Sequence, residues 1–221
     1  NPLERFVRLY DDVEVAPPDF DTEEWDQLPP RIGMYGEGKD LNFSPEEWAK
    51  LRKHYYALCT QVDESVGALL EVLDEEGLTE NTLVVFSSDH GDYIGDHGQH
   101  GKGHPWDSAI HLPLIVHDPT DPENGTRYSG LVESIDIMPS VLERVGLISP
   151  KTVQGKSFWP GVRGEVAQHR SAVFSETVTH TNVQDVDALF AVCPERHIIA
   201  IRTERWKYIH YVDEPGELYD L

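Results

Sequence analysis

Asp89 and His90 stand side by side, directly after the apolar run Thr82-Leu83-Val84-Val85-Phe86-Ser87-Ser88. A carboxylate oxygen and an imidazole nitrogen are both good ligands for a divalent cation. Lys102 follows, set in Gly101-Lys102-Gly103-His104. An ammonium held by a tight glycine loop would neutralise charge on a sulfate or phosphate oxygen as a bond breaks. His104 is of a type that protonates a leaving group at neutral pH. The first reading of these four residues is metal-assisted hydrolysis of a charged ester.

Each residue also has a plainer reading. Asp-His-Gly serves as a turn, lysines are commonly solvated, and His97, His100, Asp92 and Asp96 can shape the loop or face water. His111 and His117 flank an apolar run, where a structural role is expected, and Asp136 reads as a helix-start residue. The glycines Gly91, Gly95, Gly98, Gly101 and Gly103 tip the balance, because they let backbone approach a ligand closely. Two ligands are too few for a complete metal site, so the others must come from outside the Asp-His motif. With more carboxylates the site suits Ca²⁺ or Mg²⁺; with more nitrogens it suits Mn²⁺ or Zn²⁺.

The elements that must position these residues are legible. Ser44, Pro45 and Glu47 form a helix-start signature, with Ser44 as N-cap. Trp48, Leu51, Tyr55, Leu58, Val62, Val66, Leu69 and Leu73 then repeat at three- and four-residue spacing, and Gly77 reads as the stop. Cys59 in this helix reads as a small residue packed beside Leu58. Leu83–Phe86 and Leu114–Val116 read as short apolar strands of the kind found in a parallel sheet covered on both faces. Residues 87–113 form a long loop between them, and loops of that length without structure of their own are usually functional. Ligand sites of open α/β sheets lie at the carboxyl ends of the strands, where Asp89 falls. A second helix opens at Ser134–Ser140, with Pro139 in its first turn and Gly146 as its stop. Residues 155–165 read as a turn-rich connection. Ala172–Ser175 is strand-like, and Ile198–Arg202 and Trp206–Tyr211 read as a hairpin. Residues 1–43, rich in Pro, Asp and Glu, read as an extended surface segment.

The 221 residues suffice for one large domain, or one domain with a small appendage. No run approaches the roughly 20 apolar residues of a membrane span. The formal net charge is −22, which argues against nucleic acid and anionic membrane as partners. It also requires that any anion site be locally positive. The two cysteines, Cys59 and Cys193, are far apart and suit a reducing compartment, so the cytoplasm is favoured over the periplasm or secretion. Asn42-Phe43-Ser44 and Asn124-Gly125-Thr126 match a glycosylation pattern that is common by chance. Neither a GxSxG nucleophile elbow nor a phosphate-cradling GxxxxGK[ST] loop occurs.

Taken in order, these segments resemble the sulfatase family of the alkaline-phosphatase-like superfamily. The resemblance runs through Gln61-Val62-Asp63-Glu64-Ser65-Val66-Gly67, Asn81–Asp92, Gly95-Asp96-His97-Gly98 and Gly101-Lys102-Gly103. It continues through His111-Leu112-Pro113-Leu114-Ile115, Ile135–Ser140, Gly155-Lys156-Ser157, Ile201–Tyr208 and Glu217–Leu221. It implies an α/β body, here residues 1–168, with a small and incomplete antiparallel β subdomain, residues 169–221. It implies that Asp89 and His90 are two ligands of a divalent ion, usually calcium, that Lys102 contacts the sulfate, and that His104 lies near the substrate. The implied partner is a small-molecule or glycan sulfate ester; the oligomeric state stays open.

Where this chain has His90, many sulfatases have Asn. Members with His include relatives that cleave phosphonate monoesters and phosphodiesters, so the ester type and Ca²⁺ against Mn²⁺ or Zn²⁺ stay open. The family nucleophile is a formylglycine made in a C/S-x-P-x-R motif, with paired aspartates nearby. Neither is here: Cys59 is followed by Thr60-Gln61, and Cys193 by Pro194, one place too early. The expectation is a C-terminal half of a sulfatase, without turnover on its own. The alternatives are a phosphonate monoester or phosphodiester hydrolase, a non-catalytic module that binds sulfated glycans, and a structural fragment whose long apolar helix face is partly exposed.

Overall fold

The computed structural model describes residues 1–18, 43–121, 125–178, 197–212 and 214–221. They form two compact units, residues 1–124 and 125–221. The expected boundary at 168/169 lies inside the second unit, just before its sheet. Cys193, Asn42 and Asn124 lie outside the described residues.

The first unit is organised by a helix, Pro45–Glu75, framed as its sequence predicts. The Ser44 hydroxyl accepts from the Glu47 N–H at 3.2 Å, and the Glu47 carboxylate accepts from the Ser44 N–H at 2.8 Å. This reciprocal pair satisfies donors that a helix start otherwise leaves orphaned. At the other end Gly77 takes φ +66°. Its N–H donates to Asp74 and that of Leu78 to Leu73, at 3.0 and 2.8 Å, which closes the last carbonyls. Burial follows the apolar stripe mainly in its first half. Trp48 and Ala57 are buried, whereas Leu58, Val62 and Leu69 are exposed. Cys59 is exposed too, contrary to the packed position expected of it.

The reading of residues 1–43 as extended is corrected in part. Glu4–Val7 is a short helix that continues into a 3₁₀ turn, Arg8–Tyr10. Phe6 is buried, the Tyr10 hydroxyl meets the Thr60 hydroxyl at 2.7 Å, and the Leu3 N–H donates to Gln61 at 2.9 Å. Phe6 and Tyr10 are four residues apart, so a single helical face can dock both on the long helix.

The two apolar runs form β1 (Val84–Ser87) and β2 (Leu114–His117). They pair antiparallel, with Val84 opposite His117 and Ser87 opposite Leu114, although each run was read as the kind found in a parallel sheet. A parallel pair needs a crossover that carries the chain back to the start of the first strand. Residues 88–113 instead turn over the carboxyl end of β1 and enter β2 at that same end. Ile115 is exposed on β2. Among the described residues no helix is long and apolar enough to cross a membrane.

In the second unit a 3₁₀ turn, Ser134–Asp136, leads into the helix Ile137–Arg144, and Gly146 follows at φ +74°. One helical turn, Trp159–Val162, interrupts the connection that was read as turns alone. Four antiparallel strands follow in sequential order: β3 (Val173–Val178), β4 (His197–Arg202), β5 (Trp206–Tyr211) and β6 (Glu217–Asp220). The last of these was not anticipated. Arg205 grips Asp220 through two 2.9 Å contacts beside the Trp206–Asp220 pair.

Asp136 binds this unit together and does much more than start a helix. Its side chain is fully buried. It accepts from the N–H groups of Lys156 (2.7 Å) and Glu133 (3.0 Å), from His169 Nε2 (3.0 Å), and from Arg170 Nε and Nη2 (2.7 and 2.5 Å). A Cβ on Gly155 would stand 1.9 Å from the Ile135 carbonyl oxygen, so only glycine lets the Lys156 N–H come this close. Ser140 extends the network. Its hydroxyl donates to the Asp136 carbonyl at 2.6 Å and accepts from the Phe158 N–H at 3.0 Å.

Burial by itself would raise the Asp136 pKa. The Arg170 guanidinium, the two backbone donors and His169 outweigh it and hold the carboxyl well below the usual range. A depressed folded-state pKa means that the unfolded chain takes up the proton first as pH falls. The stabilisation is therefore whole above the ordinary aspartate value of 3.8 and declines as pH drops below it. Asp136→Asn is expected to destabilise the second unit by about 3 kcal/mol at pH 7, since it removes one of the two carboxylates, Asp136 and Glu133, that the half-buried Arg170 faces. It should also flatten the acid limb. Urea unfolding of both proteins from pH 7 to pH 3 measures the two effects.

Candidate active site

The end of β1 delivers Asp89 and His90 into the loop. The His90 N–H donates to Asp89 Oδ1 at 2.9 Å, and the Ser88 hydroxyl donates to the His90 carbonyl at 2.9 Å. His90 Nδ1 lies 2.8 Å from the Gly91 carbonyl oxygen. A carbonyl can only accept, so Nδ1 carries the proton and Nε2 presents its lone pair. Lys102 Nζ lies 2.5 Å from that Nε2, and Asp89 Oδ2 is 3.4 Å from it. Asp89, His90 and Lys102 thus converge. The His90 N–H first, with a smaller contribution from the Lys102 charge, lowers the Asp89 pKa. The imine nitrogen already faces a positive group, with a carboxylate oxygen close to that nitrogen. Among the described residues no cluster of three or more His, Cys, Asp or Glu side chains is poised to hold a metal ion, so Asp89 and His90 stand as a pair of donors.

His104 is held differently. It is buried, and its ring lies 4.3 Å from that of Trp106. The Tyr93 hydroxyl accepts from the His104 N–H and donates to the His104 carbonyl at 2.9 Å. Tyr93 is itself buried and packs edge-on against Trp106 at 5.3 Å. Burial pushes its phenol pKa well up, so it remains a neutral two-way hydrogen-bonding group. Sequence reasoning missed Tyr93 and Trp106. Two large aromatics inside a glycine-rich loop were the available signal, since such residues seek a core of their own.

The other candidates prove to be loop builders. Asp92 accepts from the N–H groups of Ile94 (3.0 Å) and Gly101 (3.1 Å). Asp96 pairs with Arg52 at 3.2 Å, and Arg52 also donates to the Ile94 carbonyl at 2.9 Å, which ties the loop to the long helix. His97 adopts φ +52° and stacks on Trp106 at 4.0 Å. Gly91 is obligatory: its N–H donates to the Ala109 carbonyl at 2.8 Å, and a Cβ there would meet the Ser108 oxygen at 1.9 Å. The buried amide of Gln99 and the buried Trp106 indole N–H have no hydrogen-bond partner among the described residues. Such groups are rare in a finished interior and are common beside functional sites.

The comparisons agree with this fold. The sulfatase family model matches residues 9–147, and the model for the C-terminal part of N-sulphoglucosamine sulphohydrolase matches residues 95–221. The chain belongs to the sulfatase family. It is 30% identical to the multifunctional alkaline phosphatase superfamily protein PehA of Trinickia caryophylli, over 84% of this chain and 37% of that protein. It is 29% identical to an N-acetylglucosamine-6-O-sulfatase of Bacteroides thetaiotaomicron, over 97% of this chain and 38% of that one. Among solved structures, a phosphonate monoester hydrolase of Agrobacterium radiobacter superposes with a TM-score of 0.85 at 26% identity, covering 99% of this chain and 47% of that chain. The chain therefore spans between a third and a half of the length of these relatives.

Tyr93→Phe keeps the ring and removes the hydroxyl that serves both backbone groups of His104. It is expected to lower the stability of the first unit by about 1–3 kcal/mol. The His104 amide should lose its hydrogen-exchange protection, which amide exchange followed by NMR would detect.

Proposed function

We propose that this chain is the part of a sulfate-ester hydrolase that holds two metal ligands and the anion-contacting lysine. The observation that carries the reading is the convergence of Asp89, His90 and Lys102 at the end of β1, with the ammonium 2.5 Å from His90 Nε2. Family membership and the sulfatases among the relatives support it. A divalent ion on Asp89 and His90, calcium in the resemblance, would polarise the ester oxygens as a Lewis acid. Lys102 places a fixed positive charge against the non-bridging oxygens, which matters in a chain of net charge −22 that repels anions at long range. We assign His104, held in one orientation by Trp106 and by the Tyr93 hydroxyl on its backbone, to the leaving-group side, where it donates a proton to the departing oxygen. The attacking group, formylglycine in the resemblance, belongs to the remaining length of the relatives.

A second reading, hydrolysis of phosphonate monoesters or phosphodiesters, is favoured by His90 and by the likeness to the phosphonate monoester hydrolase. The same site would serve, because both esters present anionic oxygens to a lysine.

The test uses a polypeptide that joins this chain to the segment matching the rest of its relatives. Turnover of p-nitrophenyl sulfate above that of phenyl phosphonate supports the sulfatase reading, and the reverse order supports the second. Lys102→Ala is expected to lower kcat/KM on the preferred ester by about 10²–10³-fold, with partial recovery in Lys102→Arg. An unchanged kcat/KM in Lys102→Ala would remove the lysine from the site. This chain by itself is expected to show no turnover.

A further inference from the structure

We infer that Arg52, on the long helix, is a positioning residue of the active site: its guanidinium holds a strained turn at residues 94–98 that fixes where Lys102 and His104 stand. The inference rests on the roles proposed above for that lysine and histidine. Ile94 at φ +39° and His97 at φ +52° are non-glycine residues in the left-handed region, with Gly95 at φ +105° between them. A β-branched residue rarely adopts such a backbone. It persists there only when its surroundings over-determine it, and such positions cluster at active sites.

Arg52 supplies much of that hold. Its side chain is largely buried, and its fork reaches three acceptors. Nε donates to the Ile94 carbonyl at 2.9 Å, Nη2 to Asp96 Oδ1 at 3.2 Å, and Nη1 to the Ala16 carbonyl at 3.2 Å. Trp48, one turn earlier on the same helix face, forms the other side of the seat. A Cβ on Gly95 would stand 2.4 Å from Pro18 and 3.2 Å from the Trp48 ring, so the turn is wedged against both.

Short links carry the position of this turn to the reacting side of the loop. One oxygen of Asp92 accepts from the Ile94 N–H at 3.0 Å and from the Gly101 N–H at 3.1 Å. The Tyr93 N–H donates to the Gly101 carbonyl at 2.9 Å. Gly101 is thus fastened at both polar backbone groups, directly before Lys102. The Tyr93 hydroxyl serves both backbone groups of His104, and His97 stacks on Trp106, whose ring lies against that of His104. Relaxation of Ile94 toward negative φ would therefore carry Asp92 and Tyr93 with it, and with them the lysine and the histidine. Misplacement of a reacting group by about 1 Å costs on the order of 10²-fold in rate.

The test uses the joined polypeptide and the variants Arg52→Met and Arg52→Met/Ile94→Gly. Arg52→Met is expected to lower kcat/KM on the preferred ester by about tenfold, mainly through kcat. Glycine takes φ +39° without strain and does not need the clamp, so Ile94→Gly should restore most of that loss. Amide exchange should show the Gly101 and His104 N–H groups losing protection in Arg52→Met and regaining it in the double variant, while Ala57 in the long helix stays protected. Arg52→Lys keeps one donor in place of the fork and should lose about threefold with the same rescue, which keeps the test decisive if Arg52→Met fails to fold. Unchanged kcat/KM and protection in Arg52→Met, beside a loss in Lys102→Ala, would overturn the inference and leave the role of the lysine standing. A loss that Ile94→Gly does not rescue would make Arg52 an ordinary stability contact and overturn it as well. An unchanged Lys102→Ala would remove the underlying reading.

Discussion

Ser87 and Leu114 face each other across the short β1–β2 ribbon. Everything between them must leave and return at one point, and this closure sets the character of the site. A long excursion that starts and ends together is entropically costly unless it builds contacts of its own. Here the contacts are backbone hydrogen bonds made at close approach: Gly91 to Ala109, Tyr93 to Gly101 and Gly95 to Gln99, all at 2.8–2.9 Å. They divide the loop into smaller turns around a small aromatic core of Tyr93, His97, His104 and Trp106. Arg52 then fastens the loop to the long helix. The carboxylate and imidazole at the strand end are consequently met by a lysine that arrives from the far side of the loop.

Two aspartates show how the same side chain serves opposite ends. Asp136 is fully buried, and five donor contacts, two of them from the Arg170 guanidinium, compensate the loss of water around its charge. Its role is to join three stretches of chain, and such a site has no room for a ligand. Asp89 is largely exposed, with one oxygen held by the His90 N–H. Its charge is kept in place and left accessible, as a donor to a cation must be. The difference lies in the surroundings and not in the residue type.

Much of the fold was legible because it is local. Ser44 with Glu47, and Gly77 with Leu78, act within four or five residues, and both helix ends lie where they were read. Asp89 and His90 could be singled out because they are adjacent and follow an apolar run. The β4–β5 hairpin is likewise a short-range feature, with Thr203-Glu204-Arg205 between two alternating strands. Misreadings arose where distant chain decides. The apolar runs were read as strands of a parallel sheet, and β1 and β2 pair antiparallel because strand direction depends on how the intervening loop returns. Cys59 was placed inside because periodicity tells which residues share a face, not whether anything covers it.

The order of residues by itself determined the long helix and its ends, the β4–β5 hairpin, the strand-end carboxylate and imidazole, and the family, since each rests on neighbours in sequence or on the motifs in their order. The tertiary structure decided the partnerships. Lys102 meets His90 across 12 residues, and Asp136 gathers donors from 20 to 34 residues away. It also turned Lys207, Ile209 and Tyr211 inward on β5, while Trp206 and Tyr208 stayed outside. Such choices depend on where a loop closes and which face finds cover. Those are properties of the packed chain as a whole, and no short window of sequence carries them.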